Sequence, residues 1–109
     1  MKKIFVSQPL RGLNKEESKA VRTIACKMAI KKIADKYGEK VEELEIIDSY
    51  FEEVHNPDKG CIPLKYLSKS IELLADADYA YFGEGWEHAR GCKIEHACAE
   101  EYGIKIVEH

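Results

Sequence analysis

The sequence predicts an α/β fold built on a small parallel sheet, on three observations. Short β-type runs alternate with stretches of helical periodicity in the order β-α-β-α-β-α-β. Strands alternating with helices imply a parallel sheet with right-handed crossovers and helices on both faces. The first run, Lys3-Ile4-Phe5-Val6-Ser7, is apolar on successive positions, as suits a central strand covered on both sides. Finally, 109 residues with 45% hydrophobic and 34% charged side chains have the size and balance of one ordinary globular domain, residues 1–109.

Gln8-Pro9 bounds the first strand, and Asn14 stands three residues before Glu17, pairing an Asx cap with a first-turn acid. From Lys15 to about Lys36, Val21, Ile24, Ala25, Met28 and Ile33 recur at helical spacing and predict the buried stripe of a long helix closed by Gly38. Residues Glu45 to Phe51 read as a second strand, followed by a turn-rich loop around Asn56-Pro57-Asp58-Lys59-Gly60. Pro63 suits a helix start, with Leu64, Leu67, Ile71 and Leu74 on the buried face. Tyr79-Ala80-Tyr81-Phe82 is the third strand. The helix after it carries Ile94, Ala97, Cys98 and Tyr102 inward and ends at Gly103, and Ile104 to Val107 is the last strand. The expected architecture is a small flavodoxin-like (Rossmann-like) three-layer sandwich with strand order 2-1-3-4. A four-stranded sheet leaves two open edges, so a homodimer or higher homo-oligomer is expected.

A net charge of −3 argues against nucleic acid as the partner. No apolar run approaches the length of a membrane span, and the N-terminus lacks the features of a signal peptide. A cytoplasmic protein with no membrane partner is therefore expected, its four cysteines reduced and Cys26 acting as a small hydrophobe. His88, Cys92 and His96 recur at four-residue intervals. Three ligands along two turns of one straight helix converge poorly on a tetrahedral ion, and no Cys-x-x-Cys pair supports them, so no metal is expected.

In such a sheet a ligand binds outside the C-terminal ends of the strands. That selects the segments Ser7–Gly12, Ser49–Cys61, Phe82–Gly91 and the tail beyond Val107. The first offers Ser7, Gln8, Arg11 and Gly12 ahead of a helix, a donor set suited to an anion such as phosphate. The plainer reading is a turn shaped by Pro9 and Gly12 with a solvated Arg11. In the third, Gly83, Gly85 and Gly91 permit close approach to the backbone, and Trp86 or Tyr81 offers a flat face to a planar ligand. Glu95 lies early in the following helix, where the dipole favours an ionised carboxylate. Such a carboxylate can attack a sugar carbon, as in retaining glycosidases. Spacing alone nevertheless favours a solvated acid among Glu87, Glu100 and Glu101.

Four segments together resemble a family of small bacterial and phage proteins of unknown function (DUF4406-like): Phe5-Val-Ser-Gln-Pro-Leu-Arg-Gly12, Ala77-Asp-Tyr-Ala-Tyr-Phe82, Gly85-Trp86 and Ala89-Arg-Gly-Cys-Lys-Ile-Glu-His-Ala97. That family is similar in turn to the nucleoside 2-deoxyribosyltransferase superfamily, which includes hydrolases of the N-glycosidic bond of 2′-deoxynucleoside 5′-monophosphates. The second resemblance rests on the first loop, the Ala-Asp entry to the third strand and the Gly-x-x-x-Glu helix start. It implies that Glu95 is a nucleophile for C1′, that Gly91 precedes it by one turn, and that Ser7, Arg11 and Gly12 belong to a phosphate loop. Gln8, Gly85, Trp86 and Arg90 join them as expected substrate contacts.

Two positions depart from that pattern. The superfamily's assisting aspartate falls at Ser70, which cannot donate a proton in the same way. A phosphate-contacting serine falls at Ala89, with Arg90 adjacent as a substitute donor. Asp48, Glu52, Glu53 and Asp58 are candidates to replace the missing acid. The expected function is a cofactor-independent hydrolase or transferase acting on a nucleoside or, given the phosphate-type donors, a nucleotide. The alternative is a nucleotide-binding sensor or regulatory module without turnover, and a third reading is an interaction protein that keeps only the fold.

Overall fold

Ile4, Phe5 and Val6 are almost wholly buried, as a strand flanked on both faces requires, and they form the middle of β1 (Lys2–Ser7). The computed structural model describes residues 1–10, 12–48 and 60–109. Around β1 lie β2 (Leu44–Ile46), β3 (Tyr79–Phe82) and β4 (Lys105–Glu108) in one sheet of order β2-β1-β3-β4. Every pairing is parallel, with Ile4 opposite Ile46 and Tyr79, Ser7 opposite Phe82, and Phe82 opposite Glu108. The C-terminal ends of β1 and β3 are therefore level with each other.

The pleat sorts the core into two halves, because successive strand residues face opposite ways. Ile4, Val6, Tyr79 and Tyr81 pack with Ala25, Ala29 and Ile33 of α1 (Lys15–Tyr37). Phe5, Ala80 and Phe82 pack on the other face with Leu74 of α2 (Ile62–Leu74) and Ala99 of α3 (Arg90–Glu101). The result is the flavodoxin-like three-layer arrangement that the strand and helix pattern predicts. None of the helices among the described residues is long and apolar enough to cross a membrane.

The caps of α1 form as the sequence implies. The Glu17 amide donates to the Asn14 side chain at 2.8 Å, the Glu17 carboxylate accepts from the Asn14 amide at 3.2 Å, and Gly38 ends the helix in the left-handed region at φ 67°. The second strand is shorter than expected, covering Leu44–Ile46. The Ile47 amide still donates to the Ile4 carbonyl at 2.9 Å, after which the polar Asp48 ends the pairing. The rest of the expected strand, residues 49–51, and the loop through residue 59 lie outside the described residues.

The helix faces also differ from the expected ones. In α1 the buried stripe is Ala25, Ala29 and Ile33, while Ile24 is 61% exposed and Val21 is exposed as well. Large tyrosines on the sheet leave room only for small helix residues at the points of closest approach. In α2 Leu74 is buried but Leu64 is exposed. In α3 the buried residues are Cys92, Glu95 and Ala99, and Tyr102, expected inward, is 85% exposed. An acid thus occupies the inner face of α3.

Candidate active site

The chain leaves β1 through Gln8, Pro9 and Leu10 and leaves β3 through Gly83. These two exits touch. The Gly83 amide donates to the Ser7 carbonyl at 2.8 Å, and a Cβ on Gly83 would stand 3.2 Å from that of Gln8. Gly85, at φ 83°, then turns the chain into a short 3-10 segment, Trp86–His88. Ala89 follows as the N-cap residue of α3 and supplies no side-chain cap. The first turn of α3 therefore presents backbone amides without a capping side chain to whatever lies in front of it.

What lies in front is a cavity of about 920 Å³. Gln8, Pro9 and Leu10 form one wall, and Glu84, Gly85 and His88 through Lys93 form a second. The first turns of α2 close the third side with Pro63, Tyr66, Leu67 and Ser70. Glu95 lines the same cavity. Arg90 and Lys93 place two cationic side chains on the wall that starts α3, opposite Ser70 and Tyr66 of α2, alongside the acids Glu84 and Glu95.

Glu95 is only 7% exposed, and its Oε1 accepts a 2.7 Å hydrogen bond from the Ser7 hydroxyl across 88 residues of sequence. Burial pushes its carboxyl above the ordinary carboxylate range, while hydrogen bonds from Ser7 and Ser70 favour the ionised form and offset part of that rise. Glu95 is the sixth residue of α3, beyond the first turn where the helix dipole acts. The two hydroxyls, rather than the dipole, steady its charge. Cys92, one turn earlier, is also buried; burial raises its thiol, the Glu95 charge raises it further, and a hydrogen bond with Ser7 opposes both.

Of the residues expected at a ligand site, Gln8, Gly85, Arg90, Gly91, Ser70 and Glu95 line the cavity, and Ser7 touches it through Glu95. Gly12 takes a left-handed conformation at φ 85° but is not part of the wall. Arg11 lies outside the described residues, as do Glu52, Glu53, His55, Asn56 and Asp58, while Asp48 is not on the wall. Trp86 stacks on His96 with centroids 4.0 Å apart and planes within 5°, and its ring also meets Phe82. His96 in turn holds Glu108 at 2.8 Å. Tyr81 is buried on the α1 face. Neither aromatic faces the cavity; both rings are engaged in packing.

Tyr66 and Lys93 are wall residues that sequence reasoning did not single out, and His88 and Cys92, which the sequence offers only as part of a metal-like spacing, line the wall as well. Tyr66 stands one turn before Ser70 on α2, so the Ser70 position already carried the signal. His88 and Cys92 both line the cavity, with Cys92 also in contact with the Ser7 hydroxyl, whereas His96 stacks on the Trp86 ring. Among the described residues no three His, Cys, Asp or Glu side chains come together to hold a metal.

Fold and site together define a small doubly wound α/β protein with a buried, hydroxyl-bonded carboxyl on the wall of a strand-end cavity. Over residues 2–108 the chain matches the family described as Domain of unknown function (DUF4406), and it belongs to that family. No curated protein matches it.

Proposed function

We propose that this protein binds a nucleotide in the strand-end cavity and cleaves or transfers its N-glycosidic bond, with Glu95 as the nucleophile. The observation that carries the reading is the carboxyl itself: Glu95 is buried at the cavity wall and oriented at 2.7 Å by the Ser7 hydroxyl. A surface acid needs neither burial nor a fixed partner, whereas a nucleophile for a sugar carbon needs both access and a fixed direction of attack. The superfamily resemblance supports the same assignment, since it aligns Glu95 with the attacking glutamate.

In this reaction an ionised Glu95 oxygen bonds to C1′ as the bond to the base breaks, the electron pair leaving with the base, which takes up a proton. Water or a second base then displaces the carboxylate from C1′ and restores it. Arg90, Lys93 and the first amides of α3 would hold a phosphate, and Tyr66 on the opposite wall supplies an aromatic surface. Self-association through the open edges β2 and β4 belongs to the same proposal.

One observation favours a second reading, binding without turnover. The residue beside Glu95 from α2 is Ser70, a hydroxyl that steadies the carboxylate but is a poor proton donor to a departing base. Incubation with 2′-deoxynucleosides and their 5′-monophosphates, followed by chromatography for free base, separates the two. The expected outcome is base release that falls at least about 100-fold in Glu95→Gln. Tight binding by calorimetry without release establishes the binding module instead, and neither binding nor release overturns both readings.

A further inference from the structure

Among the described residues, the only buried side-chain nitrogen or oxygen atoms without a hydrogen-bond partner are Nε2 and Oε1 of Gln8. Polar groups enclosed by protein are almost always paired, and each exception calls for an explanation. Both ends of this carboxamide are unpaired, so exchanging the oxygen and nitrogen leaves the observation unchanged. The residue cannot relax by shifting its main chain. Ser7 is tied to Gly83 at 2.8 Å, Pro9 follows directly, and the Gly83 backbone lies so close that even a methyl there would crowd the Gln8 Cβ at 3.2 Å. Only the outer torsions of the side chain are left to turn, and Gln8 lines the cavity.

We propose that Gln8 determines ligand specificity. Its carboxamide turns into the cavity and forms a pair of hydrogen bonds with a ligand edge that presents one donor beside one acceptor. Oε1 accepts from the ligand N–H while Nε2 donates to the adjacent carbonyl or ring nitrogen. Nucleobases carry such edges, as do other cyclic amides and amidines; sugar phosphates do not. The identity of the ligand rests on the nucleotide reading above, while the demand for a paired donor and acceptor rests on Gln8 itself. A site that hydrogen-bonds its ligand in this way rejects analogues lacking the edge, because its own polar atoms then stay unpaired.

The test uses the full chain in a Glu95→Gln background, so that no base is released, with and without Gln8→Met. Methionine keeps the unbranched shape and removes both polar atoms. Calorimetric titration compares 2′-deoxynucleoside 5′-monophosphates with 2-deoxyribose 5-phosphate, and melting temperatures are recorded without ligand. With Gln8 present, the base-bearing probe is expected to bind about tenfold tighter or more. Gln8→Met removes most of that difference and leaves the unliganded melting temperature unchanged or higher, since an unpaired buried amide has been lost. A preference that persists in Gln8→Met overturns the proposal, as does a fall in unliganded melting temperature or no preference with Gln8 present. Base release by the parent chain is scored separately. Release together with a persistent preference removes the role of Gln8 alone, whereas a Gln8-dependent preference without release removes the glycosidase reading alone.

Discussion

A carboxyl enclosed by protein is harder to ionise than one in water, and Glu95 illustrates how two hydroxyls moderate that effect without cancelling it. Its pKa stays raised above the ordinary 4.5 because burial outweighs Ser7 and Ser70. The consequence for stability has a definite sign. Above about pH 4.5 the folded state holds a proton that the unfolded chain has released, so stability falls as pH rises through the folded-state value. Glu95→Gln removes that dependence. Chemical denaturation at about pH 4 and pH 8 should show the variant gaining on the parent chain as pH rises; an equal response of both proteins would show that Glu95 is not titrating while buried. On the proposed glycosidase reading, the same shift should place the acid limb of base release above the usual carboxylate range, which a pH profile of the reaction checks. Ser7 was legible as a candidate from its place at the end of an apolar run, but its pairing with Glu95 spans 88 positions and no local pattern encodes it.

At the scale of the element, α3 shows why a correct helix does not guarantee a correct face. Apolar spacing selects Ile94, Ala97, Cys98 and Tyr102, yet the inward residues are Cys92, Glu95 and Ala99. An acid stands where periodicity seeks an apolar side chain, so the stripe is read one position round the helix. Rules that assume consistency between pattern and burial fail where a polar group takes an inward position. Gly91 gives the same contrast in reverse. Among the described residues, no atom beyond its chain neighbours and its own helix backbone lies within 4 Å of where its Cβ would be, so packing there does not call for glycine. Gly91→Ala should therefore raise stability by about 0.5–1 kcal/mol, the usual gain of alanine over glycine in a helix, while weakening ligand binding in the cavity that Gly91 lines. Thermal melts and calorimetry on the one variant check both halves.

For the whole molecule, the decisive feature is that one face of the sheet is covered by α1 and the other by α2 and α3. The wall of two small alanines against Tyr79 and Tyr81 leaves Ile33 as the largest fully buried α1 side chain in that half of the core, with Met28 and Tyr37 packed partly buried at its margin. Ile33→Ala should cost about 2–5 kcal/mol, a large share of the roughly 5–15 kcal/mol typical of a domain. Val21→Ala, at an exposed position of the same helix, should cost under about 1 kcal/mol. Urea midpoints of the two variants measure the difference, and similar losses would contradict the observed helix face.

The sequence by itself determined the element order, the parallel sheet, the α1 caps and the segments that meet at the strand ends, because each follows from local periodicity, turn chemistry and the handedness of crossovers. It also singled out Gln8, Gly85, Arg90, Gly91 and Glu95 as candidates for a ligand site, and all five stand on the cavity wall. Only the tertiary structure decided that Glu95 points inward, that Ser7 and Ser70 converge on it, and that Trp86 packs on His96 instead of facing a ligand. Those outcomes depend on which helix face meets the sheet and how closely, a balance of side-chain volumes drawn from β1, β3, α2 and α3 together. Residues far apart in the chain settle that balance, and spacing along any one element cannot report it.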